Sequence, residues 1–214
     1  MKHFLFFTLF SLLLTSLIAQ EEKSEKYYSR VVHPGVGFKI GIFYPSDVNK
    51  YITSYFDIKG VKINMGTSDL ILNLVPEVSL SIRPSKRFEI FVTGEYGISP
   101  KFVAVTNGEN EYFSFNRASL GVLGNIHMFV GKKNTFFVGA GVLYNSLTFT
   151  DPDEKKFTGS CIGGRIQGGF SLILGQTSLQ PNIGIDFIET DGTSSLGKIN
   201  LNYSGFHFGV NFNF

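Results

Sequence analysis

The sequence predicts an all-β fold, an eight-stranded antiparallel up-and-down transmembrane β-barrel with one short helix in its first long loop. Three observations predict it. Long stretches alternate apolar and polar residues with a period of two, which is the side-chain period of a β-strand. The connections between these stretches alternate strictly between short and long. The final stretch, HFGVNFNF, ends on an aromatic residue.

The first residues predict an export signal. Lys2 precedes an apolar stretch from Phe4 to about Ile18, and the small residue Ala19 would allow cleavage before Gln20. This order of charged, apolar and cleavage regions is typical of a secretory signal peptide. A membrane anchor is the alternative, since the stretch approaches the ~17 residues that can span a bilayer, but the polar QEEKSEK that follows favours cleavage. We therefore expect the chain to divide into a signal peptide (1–19), a short N-terminal segment (20–34) and the β-barrel (35–214).

Eight stretches after the leader have the alternation of a strand. In chain order they are GVGFKIGIFY, DLILNLVPEVSLSIRP, RFEIFVTGEYGIS, NRASLGVLGNIHMFV, NTFFVGAGVLYNSLTF, GSCIGGRIQGGFSLIL, SLQPNIGIDFI and the terminal HFGVNFNF. In the third, Phe88, Ile90 and Val92 share one face, whereas Glu89 and Thr93 lie on the other. One face of the predicted sheet is therefore apolar, and the other is rich in Gly, Ser and Asn with scattered charges.

The connections indicate that the two ends of the barrel face different environments. PSK, GKKN and GQT are tight links, whereas the other four connections are longer and polar, with Asn, Asp and Gly as turn formers. Membrane-spanning barrels have short turns on one side and longer loops on the other.

The first long loop contains the one helix that the sequence predicts. Ser46 can cap its N-terminus, and Asp47 suits the positive end of the helix dipole. Apolar residues then recur at helical spacing: Val48, Tyr51, Ile52, Tyr55 and Phe56. We expect this stripe to pack over a barrel mouth or against the membrane interface; a specific partner-binding role is the alternative.

The apolar face is expected to meet lipid. A secreted soluble carrier would instead turn it inward around a ligand, but exposed strand faces in water usually carry Lys, Thr and Glu and avoid glycine. The Gly, Ser and Asn of the polar face suit a crowded interior. A closed barrel is the only β-structure that can cross the hydrocarbon core of a membrane, because every backbone polar group there must be hydrogen-bonded within the protein.

The last strand carries a recognisable pattern. His207, Gly209, Phe212 and Phe214 follow the order polar, x, Gly, x, x, aromatic, x, aromatic. Here the chain resembles the bacterial outer-membrane β-barrel proteins, nearest to the small OmpA/OmpX-type barrels. The resemblance implies location in the outer membrane of a Gram-negative-type bacterium, contact with its lipid, and recognition of this strand by the barrel-assembly machinery.

The predicted interior contains three charges of each sign away from the short turns: Lys39, Glu77, Glu95, Arg117, Arg165 and Asp186. Buried charges must be paired to avoid a large desolvation cost, and a lumen of eight strands is just wide enough for its own side chains. We expect a salt-bridged, non-conducting plug; a gated ion path is the alternative.

The sequence gives little sign of catalysis. His33 is expected before the first strand, and His127 and His207 are expected to point inward without an evident serine and acid partner. A lipid-modifying enzyme is the alternative function, but the sequence predicts no catalytic residue, cofactor or metal. DPDE could attract calcium but lacks the spacing of a calcium loop, so a solvated turn is favoured.

The net charge and the cysteine count limit the binding partners and the covalent links that the sequence allows. A formal charge of +2 without a Lys/Arg cluster argues against nucleic acid. The single cysteine, Cys161, excludes an internal disulfide, and we expect it to be a small packing residue. We expect a monomer with a structural or adhesive role, in which the external loops meet an extracellular or host ligand.

Overall fold

The computed structural model describes residues 24–60, 71–99, 102–106, 109–128, 134–195 and 197–214 of the 214-residue chain. The predicted signal peptide, with its cleavage site at Ala19 and Gln20, lies outside these residues. The helices are α1 (Ser24–Ser29) and α2 (Ser46–Ile58). The strands are β1 (Val32–Phe43), β2 (Ile71–Ser85), β3 (Phe88–Ile98), β4 (Phe102–Thr106), β5 (Glu109–Met128), β6 (Asn134–Thr150), β7 (Lys156–Leu174), β8 (Thr177–Phe187), β9 (Glu189–Ser194), β10 (Gly197–Asn202) and β11 (Gly205–Asn213).

Eight of these strands close into an antiparallel up-and-down barrel. The order around the wall is β1, β2, β3, β5, β6, β7, β8 and β11, and β11 pairs with β1 from Gly35↔Asn213 to Phe43↔Gly205. The closed barrel confirms the predicted fold and leaves no free edge within the ring. Neither described helix has the length and hydrophobicity that crossing a membrane requires.

The sheet continues beyond the ring at the end that carries the long connections, which we call the loop end. The opposite end, with turns at Lys86–Arg87 and Gly175–Gln176, is the turn end. At the loop end β4 pairs with the start of β5, and β9 and β10 form a hairpin beside β7. The segments PKFVAVTNGENEY and ETDGTSSLGK, which the sequence analysis assigned to polar connections, therefore contain strands.

Three local expectations differ from the structure. Pro45 occupies the N-cap of α2 and no side-chain capping bond forms, so Ser46 is the first helical residue and not the cap. His33 lies inside β1, not before the first strand, since β1 begins at Val32. A second helix, α1, which the sequence analysis did not predict, precedes β1.

Candidate functional site

The outer wall of the barrel is apolar over the height of a bilayer core. On β3 the outward residues from Phe88 to Ile98 are apolar or glycine, and Val92 is half-exposed. Ten residues at ~3.3 Å per residue span about 33 Å, or about 25 Å along the axis of a barrel whose strands tilt by ~40°, which matches the apolar band of membrane barrels. Leu120, Val78 and Ile162 are 67%, 63% and 77% exposed.

Aromatic side chains border this band at both ends. Those at the turn end are Phe88, Phe136, Phe170, Phe212 and Phe214, and those at the loop end are Tyr44, Tyr96, Tyr144, Phe187 and Phe206. Such girdles mark the two interfaces of barrels in a membrane. The alternating face of the terminal strand therefore places Phe212 and Phe214 at the turn-end interface.

The six charged residues singled out from the sequence all lie inside the barrel and are each at most 5% exposed. Glu95 is at their centre. Its carboxylate accepts from Lys39 Nζ at 2.7 Å, from Arg117 Nη2 at 2.5 Å and from Arg165 Nη2 at 3.0 Å. The carboxylate of Glu95 can balance the charge of only one of these three cations. The two other acids of the set must balance the remaining two positive charges.

Those two acids complete the network. Asp186 accepts from Arg165 Nε at 2.6 Å and from Arg117 Nη1 at 2.9 Å, while Glu77 is ion-paired with Lys39. Three cations and three carboxylates thus form one connected and formally neutral cluster. We call it the central network: Lys39, Glu77, Glu95, Arg117, Arg165 and Asp186.

Two residues of the terminal pattern belong to the surroundings of this network. His207 Nδ1 lies 3.4 Å from Asp186 Oδ1. Gly209 lies beside Lys39: a Cβ at this position would be 2.6 Å from Lys39 Cγ and 3.0 Å from Asn182 Oδ1. The lumen therefore requires a glycine at position 209 so that the lysine stem can pass.

A second charged cluster lies nearer the turn end and was not included in the predicted network. Glu89 accepts from Arg83 Nε at 3.2 Å and from Asn125 Nδ2 at 2.9 Å, and its Oε2 is 3.1 Å from His127 Nε2. His127 Nδ1 is in turn 2.8 Å from Thr135 Oγ1. We call Arg83, Glu89, His127 and Thr135 the turn-end network; the strand alternation already placed Glu89 and His127 inward.

The N-terminal helix closes the turn end of the lumen. Tyr27 of α1 is completely buried, its hydroxyl is 2.8 Å from Ser178 Oγ, and its ring stacks on His33 at 4.1 Å between centroids. The guanidinium of Arg83 lies over the same ring at 5.2 Å. The turn-end network is therefore covered by an aromatic side chain.

The helix α2 closes the loop end, which supports the expected packing over a barrel mouth. Val48, Ile52 and Phe56 are buried in a core with residues from β1, β5, β6, β7 and β10: Phe43, Phe113, Phe115, Leu143, Leu147, Phe149, Phe157, Ile199 and Leu201. The Tyr51 ring meets Phe149 and Phe157 edge-on at 5.6 and 5.1 Å. This apolar layer separates the central network from the loop end.

Polar contacts fix the helix to the β6–β7 turn. The Tyr51 hydroxyl donates to Asp151 Oδ2 at 2.6 Å, and burial together with this bond raises the pKa of Tyr51. Asp151 Oδ1 accepts from the Lys155 main-chain nitrogen at 2.9 Å. One oxygen of Asp151 thus holds the DPDE turn, and the other joins this turn to α2.

The interior leaves little free space near the central network. A cavity of about 10 Å³ adjoins Lys39, Arg165, Asp186 and His207, which is about room for one water molecule. The three histidines of the described chain, His33, His127 and His207, are all buried inside. His127 does have an acid and a hydroxyl partner, contrary to the expectation, but both lie in the closed lumen away from lipid.

Comparison with known proteins identifies the fold. No family model matches the sequence, and no curated protein is significantly similar to it. Neisserial surface protein A shares 10% identity with a TM-score of 0.55, covering 85% of this chain and 94% of that one. The outer membrane protein OprG from Pseudomonas aeruginosa shares 11% identity with a TM-score of 0.54, covering 85% and 93%.

The closed ring, the apolar wall and these neighbours define the class of protein: an eight-stranded β-barrel of the outer-membrane type. This confirms the resemblance seen in the sequence at the level of the fold. The identities are too low to carry a function from either neighbour to this chain.

Proposed function

We propose that this protein is an integral outer-membrane β-barrel with a non-conducting lumen, and that it acts as an anchored platform with a structural or adhesive role. The observation that carries the proposal is the inversion of its surfaces: large apolar side chains face outward and charges face inward. A water-soluble carrier needs the opposite arrangement. An exported barrel of this kind meets the bilayer along its wall and the exterior with its loop end.

The filled lumen supports the absence of a pore. From the turn end to the loop end, the Tyr27 closure, the central network and the apolar layer beneath α2 follow one another along the axis. An ion would have to displace paired charges and then cross an apolar layer, both at a large cost in free energy. Planar-bilayer recordings of the refolded protein should show no stable conductance, and a steady porin-like current would overturn the plug.

The lumen also argues against a lipid-modifying enzyme. Acyl transfer or hydrolysis needs a nucleophile and a base that reach the lipid, whereas the histidines of the described residues lie inside the wall. Lipid analysis of cells with and without the gene tests this: a changed acylation pattern would restore the enzyme as the better candidate.

The location and orientation are tested by single cysteines in a Cys161→Ala background. Val92 is half-exposed on the wall and its neighbour Thr93 is 1% exposed inside. In liposomes, a lipid-phase quencher should quench a fluorophore at Val92→Cys and not at Thr93→Cys. Free aqueous labelling at Thr93→Cys without quenching at Val92→Cys would favour the soluble barrel.

A platform role requires the loop end to face outward. On intact cells a membrane-impermeant maleimide should label Asp153→Cys, in the exposed β6–β7 turn, and not Arg87→Cys, in the turn between β2 and β3. Adhesion is then measured by counting the bacteria that bind to epithelial monolayers, for cells that produce the protein and for cells that lack it. Equal numbers of bound bacteria would refute the adhesive role and favour the structural one.

A further inference from the structure

The ring contains one pair of neighbouring strands that no turn or loop joins directly. Around the wall β11 lies between β1 and β8. Every other pair of neighbours in the ring is joined by a turn or a longer connection, whereas β1 and β11 lie near opposite ends of the described sequence. We call the pairing of β1 with β11 the seam. Strands near the ends of a chain open first unless they are tied down, so the seam is where the barrel is expected to open.

The helix α1 contacts the strands on both sides of the seam. On one side the Tyr27 ring stacks on His33 of β1, with 4.1 Å between centroids and 25° between the ring planes. On the other side the Tyr27 hydroxyl lies 2.8 Å from Ser178 Oγ of β8. Asn213, at the end of β11, donates from Nδ2 to the same Ser178 Oγ at 3.3 Å. One buried side chain therefore reaches from β1 to β8 across the end of β11.

The segment between α1 and β1 is attached on the same two sides. The carbonyl oxygen of Arg30 lies 3.2 Å from His33 Nε2, and the carbonyl oxygen of Val31 accepts from the Arg83 main-chain nitrogen at 2.7 Å. The Arg30 guanidinium donates from Nη2 to Gln176 Oε1, in the β7–β8 turn, at 3.2 Å. This segment is thus held on β1 and β2 at one side and on the β7–β8 turn at the other.

The loop end of the seam is held by a different aromatic pair. Phe43, the last residue of β1, stacks on Tyr203 with 4.0 Å between centroids and 23° between the ring planes. The main-chain nitrogen of Tyr203 donates at 2.8 Å to the carbonyl oxygen of Ile188, directly after β8. A ring attached beside β8 therefore packs on β1 at this end as well. Because the loop end has its own contacts, α1 is expected to act on the turn-end half of the seam.

We propose that α1 is a strap that holds the seam closed from the turn end, in addition to covering the lumen. Neighbouring strands lie ~4.8 Å apart, so β1 and β8 are about 10 Å apart only while β11 is paired between them. Opening the seam separates His33 from Ser178, and Tyr27 then loses its stack or its hydrogen bond. Contacts that exist only in the closed state shift the equilibrium toward that state. A side chain that only covered the lumen would have no such effect on strand pairing.

The strap is tested by removing its contacts. Tyr27→Ala removes the ring and the hydroxyl, whereas Tyr27→Phe keeps the stack on His33 and loses the bond to Ser178. Tyr55→Ala is the matched control, because it removes a ring from the helix at the other end, where Tyr55 contacts Phe56 and Phe113. Each protein is refolded into nanodiscs, and the shift between boiled and unboiled samples on a gel confirms the closed barrel. Amide hydrogen exchange is then followed by NMR.

We expect Tyr27→Ala to accelerate amide exchange in residues 35–38 and 210–213 by about tenfold. Residues 120–124 and 140–144, in the β5–β6 pairing, should be unaffected. Tyr27→Phe should give a smaller increase of about two- to tenfold, the effect of one lost hydrogen bond, and it keeps the test open if Tyr27→Ala does not form the barrel. Tyr55→Ala should leave exchange at the seam unchanged. Unchanged exchange at the seam in the Tyr27 variants, or equal acceleration in both pairings, would overturn the strap.

A covalent link across the seam gives an independent test. Phe38 and Val210 are partners in the seam and both are exposed on the wall. Phe38→Cys with Val210→Cys, in a Cys161→Ala background, is joined by dibromobimane. In the linked protein Tyr27→Ala should no longer shorten the lifetime of the folded band during heating. An equal effect of Tyr27→Ala with and without the link would show that Tyr27 acts elsewhere and would overturn the proposal.

The control for the link is a pair of outward cysteines on two strands away from the seam. Val122 of β5 pairs with Val142 of β6, and both are exposed on the wall. Val122→Cys with Val142→Cys, linked in the same way, should leave the effect of Tyr27→Ala intact. Suppression by this link as well would contradict a contribution that is specific to the seam.

Discussion

The ion pair between Lys39 and Glu77 allows the energetics of the central network to be measured. Lys39 is the one cation within ion-pair distance of Glu77 among the described residues, and both side chains are almost fully buried. Glu95, by contrast, keeps Arg117 and Arg165 if the lysine is removed. Replacing Lys39 therefore leaves one buried carboxylate without a partner and changes the formal charge of the network from neutral to −1.

We expect Lys39→Met to destabilise the barrel by about 3–5 kcal/mol, the usual cost of removing one partner of a buried pair. Methionine retains most of the stem volume beside Gly209, so the loss is mainly electrostatic. A typical stability of ~5–15 kcal/mol would be reduced by about a fifth or more. The double variant Lys39→Met with Glu77→Gln removes both charges and should recover most of the loss, because replacing a complete buried pair is often close to neutral.

The assay is urea unfolding in lipid vesicles. The sequence contains no tryptophan, so the folded fraction is followed by migration of unboiled samples on a gel and by circular dichroism. Lys50→Met is the control: Lys50 pairs with Asp47 at 2.7 Å on the surface, with its side chain 77% exposed, and should change stability by no more than about 0.5–1 kcal/mol. A Lys39→Met variant as stable as the wild type, or a double variant no better than the single one, would refute the argument.

Three further changes address the wall and the terminal strand. Phe212→Ser with Phe214→Ser should block membrane insertion and lead to degradation, measured by fractionation and immunoblotting; normal insertion would argue against an assembly signal. Val122→Arg places a cation in hydrocarbon and should cost about 2–4 kcal/mol in vesicle unfolding, and a change below 1 kcal/mol would contradict the lipid-facing assignment. Gly209→Ala should be inserted normally but lose about 1–3 kcal/mol through overpacking against Lys39, and unchanged stability would show that the lysine stem can move aside.

The sequence was sufficient for the ring and its two faces because one rule acts on every strand. Side chains alternate with a period of two, so the apolar and polar residues of each strand are separated without knowledge of its neighbours. The alternation of short and long links then indicates which strand ends lie together. This reasoning placed Glu95 and Arg165 on the inward side, where the structure joins them through the central network.

The features that the sequence analysis missed depend on height along the axis and on contacts between distant segments. Glu89 was set aside because it lies close to a short turn, yet the β2–β3 hairpin places Arg83 beside it and the β3–β5 pairing brings His127 within reach. The hairpin of β9 and β10 was interpreted as a polar loop, because it is stabilised mainly by its packing beside β7 and under α2. The cap at Ser46 failed because the prolyl residue before it takes the N-cap position.

The positions of α1 and α2 on either side of β1 have a consequence for the last step of assembly. The helix that covers one mouth directly precedes β1, and the helix that covers the other directly follows it. The same strand forms the seam with β11, the pairing that joins the two most distant parts of the described sequence, and contacts of such high sequence separation form late. We therefore expect the sheet to stay open, with its polar face in water, until β1 pairs with β11. Both ends of the lumen should close in that same step, so that no intermediate with only one end closed accumulates.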